Sequence, residues 1–87
     1  MKPYKLLLVY EVVMFIESLS KNSQPAFHKR LRQIENYPFN HSAFSEMDDE
    51  GRRIEINILG KYAIRYRIDD ADGEIKVVEI VLADRGL

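Results

Sequence analysis

The sequence predicts an α+β domain with the element order β-α-α-β-β-β, in which both helices pack on one face of a mainly antiparallel sheet. Three observations predict this fold class. A continuous apolar run comes first, two segments with helical spacing follow, and from residue 52 onward apolar and polar residues alternate with a period of two. Because 87 residues suit one small domain, we assign residues 1–87 to a single unit.

The first half of the chain predicts an N-terminal strand and a helical hairpin. Residues 4–10 are apolar and rich in branched side chains, which is typical of a mostly buried strand. A first helix is expected over 11–22. A second begins around Pro25, which suits a first helical turn, and ends near Tyr37, because Pro38 disfavours helical geometry there. Apolar residues at helical spacing are Val12, Phe15, Ile16, Leu19, Phe27, Leu31 and Ile34.

The second half predicts a meander of three antiparallel strands. A connection over 39–51, with a brief extended piece at 42–47, leads into it. The predicted strands are 52–59, 62–68 and 75–82. Gly60-Lys61 fits a two-residue hairpin turn with glycine first, and Asp72-Gly73 supplies the second turn.

Alternation within these strands assigns their side chains to two faces. The first two strands are expected to direct Ile54, Ile56, Ile58, Ile64, Tyr66 and Ile68 to the core and Arg53, Glu55, Asn57, Ala63, Arg65 and Arg67 away from it. The last strand divides into Val78, Ile80 and Leu82 on one side and Val77, Glu79 and Val81 on the other.

Charge is unevenly distributed although the net charge is only −1. Residues 46–50 contain four carboxylates and no base, residues 52–67 contain five bases and one carboxylate, and residues 69–76 are again acidic. A near-neutral net charge argues against a general nucleic-acid binder. The strands can nevertheless carry a local basic surface, because the basic and acidic residues lie in different segments.

The arginines of the strands allow two interpretations. In one, Arg65 and Arg67, joined by Arg53 and Lys61, form a stripe that grips phosphates or a partner. In the other, which we favour, they line a solvated face, where Arg65 and Arg67 pair with Glu55 and Glu79 across strands. For Arg52 and Arg53, ion pairs with Asp48, Asp49 or Glu50 are expected.

The remaining candidates are few. The acidic run 46–50 lacks the spacing of a calcium loop, so we expect no metal and no cofactor, although Glu46 could act as a general base beside the basic stripe. Tyr62, at the mouth of the hairpin, could stack on a base.

The absence of cysteine excludes disulfides and thiolate metal sites. We expect no signal peptide, no membrane span and a cytoplasmic protein.

The hairpin and the last strand resemble the RelE/ParE superfamily, the toxins of type II toxin–antitoxin modules, which include plasmid-stabilisation proteins. Gly60, Tyr62 and the apolar or aromatic residues at 64, 66 and 68 match its Gly-x-Tyr-Arg-(apolar)-x-Tyr-x-(apolar) pattern, and Arg85 ends the last strand as the family's arginine does. The resemblance covers nearly the whole chain. It implies a growth-inhibiting toxin and, as partner, a cognate antitoxin that wraps the domain.

The resemblance implies two different modes of action. RelE-like members cut messenger RNA in the ribosome, whereas ParE-like members poison DNA gyrase. The family arginine after the Gly-x-Tyr tyrosine is Ala63 here, Asp84 stands where the nucleases often have histidine, and the chain ends DRGL without the terminal tyrosine. These departures favour a ParE-like or otherwise non-nuclease mode.

Two alternatives remain open. The first is a ribosome-dependent mRNA endonuclease whose chemistry has moved to Arg53, Arg65, Arg67 and Arg85, with Lys61 and Tyr62 binding the target. The second is a non-toxic relic that only binds its antitoxin.

Overall fold

The structure is a computed structural model that describes residues 3–86, with side chains described as far as Asp84. In chain order its elements are β1 (Lys5–Leu8), α1 (Tyr10–Ser18), α2 (Gln24–Asn36), β2 (Phe44–Met47), β3 (Arg53–Leu59), β4 (Tyr62–Asp69), β5 (Glu74–Leu82) and a single C-terminal turn, α3 (Ala83–Gly86). No helix in this part of the chain is long and apolar enough to cross a membrane.

The strands form one five-stranded sheet in the order β1-β5-β4-β3-β2. β1 runs parallel to β5, and every other neighbouring pair is antiparallel. The β3–β4 hairpin closes through Gly60-Lys61, with Gly60 at φ 60°, a conformation that glycine adopts without strain. The predicted α+β class, the element order and the antiparallel meander are confirmed. β2, the brief extended piece, joins the sheet as an edge strand.

Both helices lie on the same face of the sheet and bury the main core there, as the sequence predicts. The buried apolar residues of this core are Val12, Ile16, Phe27, Leu31, Ile34, Ile64, Tyr66, Ile75, Val77 and Ile80. The Tyr66 hydroxyl donates a 2.6 Å hydrogen bond to the Pro38 carbonyl and so ties the segment after α2 to the sheet. Burial, with a smaller contribution from the Glu55 carboxylate, raises the pKa of the Tyr66 phenol far above its ordinary value.

The assignment of β3 side chains to faces was wrong in the sequence-based prediction. Glu55 lies opposite Tyr66 and Asn57 lies opposite Ile64, and directly opposed residues share a face, so both polar side chains point toward the helices. Both are buried. Arg53, two residues before Glu55, is therefore on the helix side, away from Arg65. Alternation alone misleads here because Ile54 and Ile56 are buried too, on the opposite face.

The two buried polar residues of β3 are fully hydrogen-bonded. Asn57 Nδ2 donates to the His41 carbonyl (2.6 Å), and Asn57 Oδ1 accepts from Arg30 Nη1 (2.9 Å). Glu55 accepts from Ser42 Oγ (2.6 Å) and from Arg53 Nε (2.7 Å). The connection after α2 is thereby fixed against the sheet.

The alternation predicted for the last strand holds over residues 79–82 and is wrong at Val77 and Val78. Arg65 pairs with Glu79, but the next residue of β4, Tyr66, pairs with Val77, so Val78 has no partner and forms a β-bulge. Val77 and Ile80 both enter the helix-side core, whereas Val78 and Glu79 both face away from it.

Candidate functional site

A cleft of about 480 Å³ lies on the sheet face opposite the helices. Its walls are formed by β1, β3, β4, β5 and the loop between β2 and β3. Its apolar lining residues are Leu7, Leu8, Val9, Ile54 and Val78, and its charged lining residues are Asp48, Arg52, Arg65, Arg67, Lys76 and Glu79. The β-bulge at Val78 contributes directly, because it turns two consecutive residues of β5 into the cleft.

Arg65 is clamped between two carboxylates within this cleft. Its Nη1 donates to Glu46 Oε1 of the edge strand β2, and its Nε lies 3.2 Å from Glu79 Oε1 of β5. The predicted pairing with Glu79 is thus present, whereas Glu55 lies on the other face. With a side chain only 16% exposed and two counter-charges, Arg65 is already neutralised. An anion that approaches Arg65 competes with these two carboxylates.

Arg67 and Lys76 form a second, less compensated group at the β1 side of the cleft. They are direct partners across the β4–β5 pair and both line the cavity. Among the described side chains Arg67 forms no ion pair, and the Lys76 Nζ lies 3.8 Å from Glu74 Oε1. Lys76 is the cleft residue that sequence reasoning missed. The sequence feature that could have indicated Lys76 is a single lysine within an apolar strand. Only the strand register shows that this lysine lies opposite Arg67.

In the acidic loop at the rim, Asp48 and Glu50 pair with Arg52. Asp48 Oδ1 accepts the backbone N–H groups of Glu50 (2.9 Å) and Arg52 (2.8 Å), and Asp48 Oδ2 accepts Arg52 Nε (2.9 Å). The Arg52 backbone N–H is the main cause that lowers the pKa of Asp48, and the Asp48 carboxylate in turn raises the pKa of Arg52. The expected pairing of Arg52 with Asp48 and Glu50 is present. Arg53 instead pairs with Glu55 at 2.7 Å.

Ala63 lies on the same sheet face as the cleft but within an apolar cluster. It is fully buried, together with Ile54 and Ile56, and Val81 and Ala83 pack against them. The Ala83 backbone N–H donates to the Lys61 carbonyl (2.8 Å) and closes this end of the sheet. The face therefore has an apolar half around Ala63 and a charged half around Arg65 and Arg67.

Lys61 and Tyr62 lie away from the cleft. Tyr62 packs edge-on against Phe15 and Phe27, with ring centroids 5.3 and 5.6 Å away, on the helix side of the sheet. Lys61 extends over the Tyr62 ring, with Nζ 5.6 Å from its centroid. The Arg85 side chain lies outside the described residues, so its role stays a prediction.

Carboxylates that could share a metal ion are found, within the described chain, at the β4–β5 turn. Asp69, Asp72 and Glu74 have ligand atoms within 4.8 Å of one another. This turn is distant in sequence from the acidic loop at 46–50. Exposed acidic turns commonly have this geometry without an ion, and no cofactor chemistry is assigned to it.

Comparison with solved structures identifies the fold. A chain of the archaeal RelE–RelB complex from Pyrococcus horikoshii OT3 matches 98% of this chain and 100% of its own length, with a TM-score of 0.80 and 20% identity. The toxin–antitoxin complex RelBE2 from Mycobacterium tuberculosis gives a TM-score of 0.77 at 15% identity, over 93% of this chain and 99% of that one. The chain has the RelE-type fold.

A third RelE-type structure agrees with this result. The intact RelBE toxin–antitoxin complex of E. coli matches with a TM-score of 0.72 and 17% identity, over 92% of this chain and 96% of that chain. No protein-family model and no curated protein sequence matches the chain. The RelE-type fold that the pattern at 60–68 predicts is therefore confirmed by three-dimensional structure, where sequence similarity is low.

Proposed function

We propose that this chain is the cytoplasmic toxin of a type II toxin–antitoxin pair and that a cognate antitoxin neutralises it. The observation that carries the proposal is the likeness, over nearly the full chain, to RelE structures solved as complexes with RelB. The fold is one that such modules use for their toxins, and the Gly60-x-Tyr62 pattern points the same way.

The outer surface of the helices supports an antitoxin partner. Tyr10 is 71% exposed and Met14, one helical turn later, is 46% exposed on α1. A second cleft, of about 500 Å³, opens after α2 and is lined by Tyr4, Tyr37 and Phe39. Apolar side chains left in water on several sides suit a partner segment that wraps the domain and buries them.

Within the toxin class, we propose a gyrase-directed or otherwise non-nuclease mode. Cleavage of RNA through its 2′-hydroxyl needs a proton acceptor and a cation against the phosphate. At the position where the resemblance expects that cation, Ala63 is buried among isoleucines. Glu46, the candidate base, is engaged by Arg65. Neither group is available for this chemistry.

A second candidate function is ribosome-dependent mRNA cleavage. RelE, rather than ParE, is the toxin named in the similar structures, and Arg67 and Lys76 offer cationic groups in a cleft. In that case the arginines that carry the cleavage chemistry would be Arg65, Arg67 and Arg85, because Arg53 lies on the other face of the sheet. The third candidate function is a non-toxic relic that only binds its antitoxin.

Controlled expression in bacteria tests the toxin role. Induction in a host without the antitoxin should arrest growth within about one doubling, and co-expression of the small reading frame adjacent to this gene should restore it. Soluble, folded protein must be verified by circular dichroism of the purified chain. Unaffected growth in the presence of folded protein would contradict the toxin proposal and favour the relic.

A further inference from the structure

We propose that Arg67 and Lys76 form a phosphate-binding site in the sheet-face cleft, which takes the phosphate group of a free nucleotide. This site is distinct from the position of Ala63 and from the clamped Arg65. The proposal stands independently of the toxin function, because it rests only on the geometry and charge of this cleft.

Strand register places the two cations together. Arg67 and Lys76 are directly opposed in the β4–β5 pair, where opposed Cβ atoms are about 4.5–5.5 Å apart. Both side chains line the cleft and both are partly buried. Two donors on neighbouring strands of the same face can contact different oxygens of a single phosphate through charge-assisted hydrogen bonds.

Their charge is under-compensated in comparison with the other cleft arginines. Arg52 and Arg65 each have two carboxylate partners. Arg67 has none among the described side chains, and Lys76 has a loose contact of 3.8 Å with Glu74. Like charges directly opposed across a sheet are destabilising. An anion between them would remove that repulsion.

The neighbouring charges limit the ligand to a local anion. The next opposed pair toward the turn is acidic, Asp69 with Glu74, and Glu79 lies beside Arg65 on the other side. A long polyanion laid along β4 would meet these carboxylates. A single phosphate seated between Arg67 and Lys76 would not.

The rest of the cleft suits the organic part of a nucleotide. Leu7 from β1, Val9 from the link between β1 and α1, and Val78 from the β5 bulge supply apolar walls next to the cations. A volume of about 480 Å³ lies within the ordinary range of small-ligand sites. A base offers flat apolar faces to such walls while its phosphate reaches Arg67 and Lys76.

Binding measured by two-dimensional amide NMR tests the site, with inorganic phosphate, AMP and an adenylate DNA hexamer as probes. All three should shift the amides of residues 65–68 and 75–78. The double variant Arg67→Gln/Lys76→Gln should weaken binding at least about tenfold. The matched control Lys29→Gln/Arg32→Gln, which makes the same charge change at exposed positions of α2, should bind as the parent does.

The probes also identify the source of the phosphate. AMP should bind more tightly than the hexamer, because the carboxylates of Asp69, Glu74 and Glu79 beside the site repel a longer polyanion. Tighter binding of the hexamer would contradict a free nucleotide as the ligand and indicate a nucleic-acid strand. No amide shifts with any probe, or equal binding by the parent and the Arg67→Gln/Lys76→Gln variant, would overturn the site.

Thermal stability separates binding from a structural role. Without ligand, Arg67→Gln should raise Tm slightly, because it removes the like-charge repulsion, and it should abolish the rise in Tm that phosphate gives the parent. A lower Tm in Arg67→Gln with an unchanged response to phosphate would show that Arg67 holds the fold, and would overturn the proposal.

Discussion

At the scale of single residues, two buried polar side chains define how β3 sits in the sheet. Glu55 and Asn57 are 3% and 4% exposed on the helix side, where apolar residues are the norm. Each is satisfied by partners from α2 or the following connection. Their hydrogen bonds replace apolar packing and fix the position of the segment around His41 and Ser42.

Replacement of Asn57 by alanine should destabilise the protein by roughly 1–3 kcal/mol, because it leaves the His41 carbonyl without the Asn57 donor and removes one of the hydrogen bonds of the Arg30 guanidinium. Denaturant unfolding monitored by circular dichroism measures this change. Asn22→Ala, at an exposed position between the helices, is the control and should lie within about 0.5 kcal/mol of the parent. Equal stability of the two variants would show that the Asn57 network contributes nothing.

The candidate site could be predicted in part from residue types. Arg65 and its pairing with Glu79 follow from charges in neighbouring strands. Lys76 could not be recognised as a site residue from the sequence, because its proximity to Arg67 depends on the register between β4 and β5. The clamp on Arg65 by Glu46 depends on β2, whose pairing with β3 the sequence does not specify.

At the scale of elements, the bulge in β5 decides which residues face the cleft. A strict alternation places Val78 with Ile80 and Leu82, but the structure buries Val77 with Ile80 and turns Val78 outward. Because residues 77 and 78 are both valine, the sequence pattern does not show which of them faces the core, and the bulge cannot be predicted from it. The buried faces of the helices, by contrast, are predicted well, since the buried residues of α1 and α2 all lie at the expected helical spacing, although α1 ends at Ser18 and not at residue 22.

A matched pair of substitutions tests this register. Val77→Ala should cost about 2 kcal/mol, because the side chain is fully buried in the helix-side core. Val78→Ala should cost less than about 1 kcal/mol, because that side chain is partly exposed in the cleft. Both are measured by denaturant unfolding. A larger loss for Val78→Ala would mean that the bulge is misplaced and that simple alternation holds.

At the scale of the whole molecule, the sheet separates the main core from the proposed site. The helix side carries the main core. The opposite face combines an apolar cluster around Ala63 with a charged cleft around Arg65, Arg67 and Lys76. A RelE-type fold therefore presents, at the position where the resemblance expects a catalytic arginine, a dry surface that cannot stabilise a phosphate. The RelE-type fold is the ground for our toxin proposal, and the apolar surroundings of Ala63 are the ground for proposing a non-nuclease mode.

Incorporation of labelled methionine and thymidine, followed separately after induction in a bacterial host without the antitoxin, tests this account most directly. We expect thymidine incorporation to fall first while messenger RNA stays intact, because the apolar surface at Ala63 provides no cleavage chemistry. An immediate fall in methionine incorporation, accompanied by cleaved messenger RNA, would contradict the account and establish ribosome-dependent cleavage.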